Sequence, residues 1–375
     1  MAKKISLIKN IFLSNFKRLT SPYRVLFALT YKCNLRCKIC RIWERPHKEE
    51  LSAQNIEKIF KSLHNLNWLD LSGGEPTLKD DLIEIAKVII KNSKNLSFFH
   101  ISTNGQMPDK VFSLAKEVIK SNITFMANVS LDGPEDINDQ LKGVKGAYAN
   151  SIETFKLLKG LNKGQIYLSC TLSDYNIGHI DRLLLELKRD LPRFSLSDLH
   201  FNIFHTSSHY YKNQFMNGTS NLDFEKLKQY LTLSKNGNFI KKFIEGRYLR
   251  LLCTYSKGDK FPLRCHALRS SCFINPYGEV FPCLVFDRKI GNLAEHDYNL
   301  DKLWSGQIAH EAMREIEDKA CPECWMSCET YAAILGNLFS FTHKEKGATP
   351  ARRNVFGDAL RRAGTAIKPR GSTGR

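Results

Sequence analysis

Between Tyr23 and about His205, short runs of consecutive apolar residues alternate with stretches in which apolar residues recur every three or four positions. The first pattern fits a strand buried on both faces and the second an amphipathic helix. RVLFALT, ending at Thr30, opens the series as a strand. Ser52 then caps a helix that sets Ile56, Ile59, Phe60 and Leu63 on one face. NWLDLS, a helix from about Asp80 carrying Leu82, Ile85, Ile89 and Ile90, SFFHIS, and a helix starting at Pro108 continue it. ITFMANVS with a helix near 149–161, QIYLSCTL with a helix near 177–189, and DLHFNIF complete six strand and helix cycles. Such repetition makes a parallel sheet with helices outside, so the expected fold is α/β, a partial (β/α)6 TIM-like barrel.

Parallel strands gather their carboxyl ends at one face, where such folds hold their sites. The three cysteines Cys33, Cys37 and Cys40 follow the first strand, Gly73, Gly74, Glu75 and Pro76 the second, and Thr103, Asn104 and Gly105 the third. Ser130 and Asp132 follow the fourth, Thr171 and Asn176 the fifth. Together they describe one pocket. The barrel core spans 23–206. Residues 207–261 read as a helical, basic and aromatic connector, with Phe224, Leu227, Tyr230 and Leu231 at helix spacing. Residues 262–340 read as a small cysteine-rich α+β module, and 341–375 as a basic, partly disordered tail. Residues 1–22 set Ile5, Leu7, Ile8, Ile11, Phe12 and Phe16 among lysines. That basic amphipathic pattern suits either a helix packed on the core or one lying on a membrane surface.

Nine of the eleven cysteines fall in two bunches, 33–40 and 265–328, at metal-ligand spacing. Bunching favours metal over disulfides, and a reducing cytoplasm is the expected location. Of the two between, Cys170 sits in a strand pattern and reads as a small buried hydrophobe, while Cys253 has no assigned role. No stretch approaches the ~20 uninterrupted apolar residues of a membrane span. The net charge of +18 favours acidic partners. Without a zinc finger's histidine pair or an RNP-type aromatic signature, no nucleic acid is expected among them. His200, His205 and His209 follow the sixth strand, where packing or a rim role competes with proton transfer.

Tyr31 to Cys40 reads YKCNLRCKIC, a C-x3-C-x2-C array. Closed zinc sites and ordinary iron-sulfur clusters want four ligands, so either a distant side chain completes this set or one position stays open. Three thiolates on a 4Fe-4S cluster leave one iron free. With SGGEPTL at 72–78, CNLRCKIC resembles the radical SAM superfamily. The resemblance implies that Cys33, Cys37 and Cys40 hold a 4Fe-4S cluster whose open iron is chelated by S-adenosyl-L-methionine. It implies that Tyr31 and Ile39 cover the cluster and the adenine, and that Gly73, Gly74, Glu75 and Pro76 receive the methionine amino group. Thr103, Asn104, Ser130 and Asp132 would meet the ribose and the carboxylate, with Lys142 near the latter. Structural zinc, and plain turns at GGEP, TNG and SLDG, are the competing readings.

Later, RCHALRSSCFINPYGEVFPC offers Cys265, Cys272 and Cys283, and CPECWMSC adds Cys321, Cys324 and Cys328. A turn at 275–278 places Cys272 and Cys283 on a hairpin. The order is similar to the C-terminal SPASM or twitch extension of radical SAM enzymes: Cys265, Gly278 and Cys283 meet its first part, Cys321 and Cys324 its second. Only Cys328 follows that pair, short of the seven-cysteine set. This favours one auxiliary 4Fe-4S cluster on Cys265, Cys283, Cys321 and Cys324, with Cys272 or Cys328 as a replacement for one of them. Two incompletely ligated clusters and a zinc hairpin are the alternatives.

The family implies a radical SAM oxidoreductase or maturase that cleaves S-adenosylmethionine reductively and abstracts a hydrogen atom from its substrate. Oxidative modification of a peptide or protein side chain is the expected outcome. Radical dehydrogenation of a small sugar, alcohol or lipid headgroup is the second reading, and a non-catalytic iron-sulfur or zinc scaffold the third. A one-electron donor such as flavodoxin or ferredoxin is an expected partner, and its usual acidity suits a +18 chain.

Overall fold

The computed structural model describes residues 2–218, 239–255 and 261–339. After α1 (Ala2–Phe16) the chain runs β1 (Arg24–Ala28), α2 (Ala53–Ser62), β2 (Trp68–Ser72), α3 (Leu82–Asn92), β3 (Phe98–Thr103) and α4 (Pro108–Lys120). It continues through β4 (Thr124–Ser130), α5 (Glu135–Lys142), α6 (Ala147–Gly160), β5 (Gln165–Leu172), α7 (Ile180–Asp190) and β6 (Leu199–Ile203). The alternation of apolar runs and amphipathic stretches is thus realised as parallel strands with helices outside. Ser52 starts α2 with a capping box closed by Asn55, and α2 buries Ile56, Ile59 and Phe60. One helix lies outside the expectation. EDINDQLK carries too few apolar residues to show a period, yet it forms α5 beside the cysteine loop.

Beyond α8 (Phe239–Tyr255) come β7 (Ser271–Ile274), β8 (Glu279–Phe281), β9 (Gly291–Asn292), α9 (Leu300–Trp304), α10 (Gln307–Glu317) and α11 (Ser327–Gly336). All nine described strands form one sheet in the order β6-β5-β4-β3-β2-β1-β7-β8-β9. β7 pairs parallel with β1, Val25 opposite Cys272, while β8 and β9 add antiparallel. The cysteine-rich module therefore extends the barrel's own sheet instead of standing apart from it. β1 is consequently an interior strand, buried at all five positions.

Three expectations need adjustment. Cys272 lies on β7, but Cys283 falls just past β8 and belongs to the loop that follows the hairpin. Residues 207–218, read as the start of a helical connector, form turns without helix, because their backbone and side chains bond to the cysteine loop instead. α8 is helical as expected, whereas the Phe224 to Leu231 stretch and the tail at 341–375 lie outside the described residues. α1 does pack on the body, but its fully buried residues are Asn10, Ser14 and Asn15, while Ile5, Ile8, Phe12 and Phe16 stay exposed. Among the described residues no helix is long and apolar enough to cross a membrane.

Candidate active site

A cavity of about 460 Å³ opens at the carboxyl edge of the barrel, a volume in the usual range for a small-molecule site. Cys33, Cys37, Ile39 and Cys40 line one side of it. Gly73 and Gly74, Thr103 and Asn104, Ser130 and Asp132, and Thr171 bring the next four strand ends into the same wall. Tyr31, Glu75, Pro76 and Asn176 stand behind this lining. Asn176, for one, donates to the carbonyls of Asp132 and Thr171 at 2.7 and 2.8 Å.

The two glycines are required by the chain itself. Gly73 has φ +148°, and a Cβ there would sit 2.3 Å from the Thr30 carbonyl oxygen; one on Gly74 would sit 2.2 Å from that of Lys32. Without side chains the second strand end can press against the loop after β1, with Gly74 N–H donating to Thr30 at 2.7 Å and Glu75 N–H to Lys32 at 2.8 Å. Glu75 then turns away from the cavity and is fully buried. Its carboxylate accepts from Thr77 N–H and hydroxyl at 3.1 and 2.7 Å, from the Thr103 hydroxyl at 2.9 Å and from Asn104 N–H at 2.6 Å. Burial pushes its carboxyl above the ordinary range, while those donors pull the other way. Glu75 thereby ties the second strand end to the third.

At the fourth strand end Lys142, from α5, donates to Asp132 at 2.5 Å and to the Ser130 hydroxyl. Lys142 and Asp132 are both buried. An ammonium has three donors, so one remains for a ligand. α5 also braces the cysteine loop, since Arg36 and Lys38 N–H groups donate to the Lys142 and Leu141 carbonyls at 2.9 and 2.8 Å. From the other side Asn213 donates to the Ile39 carbonyl at 2.9 Å, and the Tyr210 hydroxyl bonds Ser72 at 2.7 Å and the Gly73 carbonyl at 3.0 Å. Sequence reasoning missed this clamp. Its one signal is the aromatic pair in His209-Tyr210-Tyr211, directly after the sixth strand.

Burial pushes the Cys33 thiol up to about 11 and the Cys40 thiol up to about 12, and raises Cys37 as well. They are neutral thiols at pH 7, so any metal group they take must displace their protons. Among the described residues no three His, Cys, Asp or Glu side chains converge on one ion-sized point. Thiols spread along a wall that faces polar strand ends fit a multi-iron cluster with a polar cofactor beside it.

The cavity floor is ionic. Arg24 donates to Asp70 at 2.6 Å, His100 Nδ1 lies 2.9 Å from the other Asp70 oxygen, and Trp68 Nε1 donates to the same oxygen at 3.1 Å. All four line the cavity. His200 and His205 line it too, with His205 held neutral by burial, its pKa lowered to about 4. His209 instead stacks on Phe281 and bonds the Cys283 carbonyl at 2.9 Å.

A second cavity of about 480 Å³ is lined by Cys265, Cys283, Cys321 and Cys324. Burial raises Cys283 to about 12 and lifts Cys265 and Cys324 well above the ordinary thiol value. Val285 and Phe286 N–H groups point at the Cys283 sulfur at 3.5 and 3.3 Å, donors of the kind that tune cluster sulfurs. The other two candidates fall elsewhere. Cys272 is buried in the core and lines neither cavity, and Cys328 lines the barrel cavity. Tyr211, Met326 and Cys328 line the first cavity and pack in one cluster with Cys265, Cys283, Cys321 and Cys324 of the second, so packed side chains connect the two.

Residues 27–187 match the family model described as the radical SAM superfamily. The chain carries a radical SAM domain. Residues 265–329 match a second model, the SPASM iron-sulfur cluster-binding domain, which covers all six late cysteines. Among curated proteins, the chain is 24% identical over 324 residues to the subtilosin biosynthesis protein AlbA of Bacillus subtilis, covering 80% of this chain and 65% of AlbA. It is 23% identical over 324 residues to the mycofactocin maturase MftC of Mycobacterium ulcerans, covering 82% and 81%. It therefore spans just under two thirds of AlbA and about four fifths of MftC. Among solved structures, SuiB of Streptococcus suis bound to precursor peptide SuiA superposes with a TM-score of 0.59 at 17% identity, over 91% of this chain and 77% of SuiB. Native anSMEcpe with bound AdoMet gives 0.56 at 19% identity, over 87% and 99%. These likenesses establish the fold.

Proposed function

We propose that this radical SAM protein is a peptide maturase, which cleaves S-adenosylmethionine reductively and takes a hydrogen atom from a peptide or protein side chain, leaving it oxidised. The observation that carries this reading is the pair of thiol-lined cavities joined by packed side chains. In this reading residues 23–206 bind S-adenosylmethionine and 262–340 form the auxiliary module. Cys33, Cys37 and Cys40 hold one 4Fe-4S cluster, and Cys265, Cys283, Cys321 and Cys324 hold a second. Bound and reduced, a cluster on these first three cysteines would supply the electron for reductive cleavage of S-adenosylmethionine.

The remaining work falls to the chain. Leu35, Ile39 and Ile42 give the cysteine side an apolar wall that excludes water. Asn104, Ser130 and the spare Lys142 donor offer polar contacts to the ribose and carboxylate, while Gly73 and Gly74 leave room for the amino group. Tyr31, Glu75 and Pro76 act as positioning residues. To finish oxidised, the substrate must lose one electron and one proton besides the hydrogen atom. We assign the electron to the auxiliary site, whose thiols pack against residues lining the barrel cavity. We assign the proton to His100, which lines the cavity with its Nδ1 held by Asp70. The maturation and biosynthesis roles in the names of MftC and AlbA, and the precursor peptide in the SuiB structure, favour a peptide substrate. An acidic flavodoxin or ferredoxin is the proposed electron donor.

Anaerobic reconstitution tests the reading. About eight irons per chain, falling to about four when Cys33, Cys37 and Cys40 become alanine, is the expected count. Dithionite and S-adenosylmethionine should yield 5'-deoxyadenosine from the unaltered protein only. No cofactor cleavage would overturn the proposal, and a count of four falling to none would remove its auxiliary cluster.

A further inference from the structure

α1 is anchored by polar side chains and leaves four large apolar ones outward. A surface helix ordinarily turns its apolar stripe to the core and its polar face to water. Here the fully buried residues are Asn10, Ser14 and Asn15, with Leu7 and Ile11 half-buried on the same side. Asn10 donates to Asn67 at 2.7 Å, Asn15 donates to the Leu335 carbonyl at 3.0 Å and accepts from Leu338 N–H at 2.7 Å, and Arg269 donates to the Ser14 carbonyl at 3.1 Å. The outward residues are Ile5, Ile8, Phe12 and Phe16, exposed by 59, 66, 51 and 61%. Spacings of three, four and four residues put them in one stripe along the helix. Phe339, 59% exposed, joins its end, with ring centroids 5.6 Å from Phe16 and 5.8 Å from Phe12. Polar anchors thus hold a continuous apolar ridge toward solvent, and such a ridge marks an interaction surface.

Charge selects the partner. Residues 1–22 contain Lys3, Lys4, Lys9, Lys17 and Arg18 and no Asp or Glu. At the helical angle of 100° per residue, Lys4 and Lys9 flank the stripe on opposite sides, and both are exposed. The tail at 341–375 carries nine Lys and Arg against two acids, so like charge opposes its folding back over this face. A second copy of a +18 chain meets the same objection. An apolar ridge bordered by lysines matches the interface of an anionic bilayer, where the ridge enters the acyl boundary and the lysines reach the headgroups. We propose that this face docks the protein on an anionic lipid surface, with α1 lying in the plane of the membrane. The proposal is independent of the reaction assigned to the barrel.

The test is sedimentation of the full reconstituted chain with two kinds of vesicle, phosphatidylcholine alone and phosphatidylcholine mixed with phosphatidylglycerol. Binding to the mixed vesicles, weakened by salt, is expected. In the double variant Phe12→Glu and Phe16→Glu it should fall on the order of tenfold or more. Both side chains are exposed, so iron content and melting temperature should hold; should that variant fold poorly, Lys4→Glu with Lys9→Glu serves instead. Failure to bind either vesicle overturns the proposal. Equal binding by the variant does so as well, since attraction would then come from charge elsewhere. A concentration-dependent dimer abolished by the variant, without vesicle binding, would assign the ridge to a second copy and also overturn it.

Discussion

At the scale of single residues, the barrel floor turns on Asp70. Burial alone pushes its carboxyl up, but the Arg24 guanidinium and the His100 hydrogen bond pull further, leaving it below the ordinary carboxylate range. A carboxyl depressed by folding adds stability above its unfolded pKa of about 4, and the fold gives that stability up as the pH drops below it. Asp70→Asn should flatten the acid side of the melting-temperature profile. At neutral pH it should also cost about 3–5 kcal/mol, because it leaves the buried Arg24 without its counter-ion; thermal melts across pH measure both. Glu75 offers a second test. All its partners are donors, so a glutamine there turns an amide toward N–H and hydroxyl groups. Glu75→Gln should destabilise by about 1–3 kcal/mol and loosen the second and third strand ends from each other. If calorimetry found S-adenosylmethionine bound as tightly as before, the positioning role of Glu75 would be wrong.

At the scale of elements, the hairpin of β7 and β8 sets where Cys283 falls. Its turn uses Gly278 at φ +79°, and an added Cβ would also press on Asn292 Oδ1 at 3.3 Å, so backbone conformation, with some crowding, favours glycine. Gly278→Val should cost about 1–2 kcal/mol and displace Cys283. Iron and sulfide counts should then drop toward one cluster while 5'-deoxyadenosine formation persists. Unchanged iron would separate the hairpin from the auxiliary site. Elements of this kind mark how far the sequence was legible. Strands and helices whose apolar residues face one core wrote a period, and the strand-end motifs wrote the pocket wall. α5 left no trace because EDINDQLK is held by its hydrogen bonds to Arg36 and Lys38, which no local pattern encodes. α1 was readable as amphipathic but not as to which face turns inward, since asparagine and serine anchor it. The clamp from Tyr210 and Asn213 was hidden for the same reason: its partners lie far away in the chain.

At the scale of the whole molecule, the auxiliary module is part of the barrel's stability. β1 has β2 on one edge and β7 on the other, and removing β7 would leave an apolar, fully buried strand with an unpaired edge. Other ties run the same way. Arg24 donates to the Cys328 carbonyl, Arg18 to the Leu268 carbonyl at 2.8 Å, and Trp304 Nε1 to the Leu19 carbonyl at 2.8 Å. A chain ending at residue 260 should therefore lose its cooperative melt, not merely its late cysteines. Full-length protein with Cys321 and Cys324 changed to serine keeps β7 in place, and should melt cooperatively and still cleave S-adenosylmethionine while failing to oxidise a peptide. Circular dichroism on both proteins separates the two contributions of the module. If the truncated chain melts as sharply and at the same temperature as the whole, the shared sheet carries no energetic weight and the module is only an electron acceptor. If the serine variant loses its melt along with the truncation, the cysteine cavity itself supports the fold, and its failure to oxidise a peptide would then say nothing about electrons.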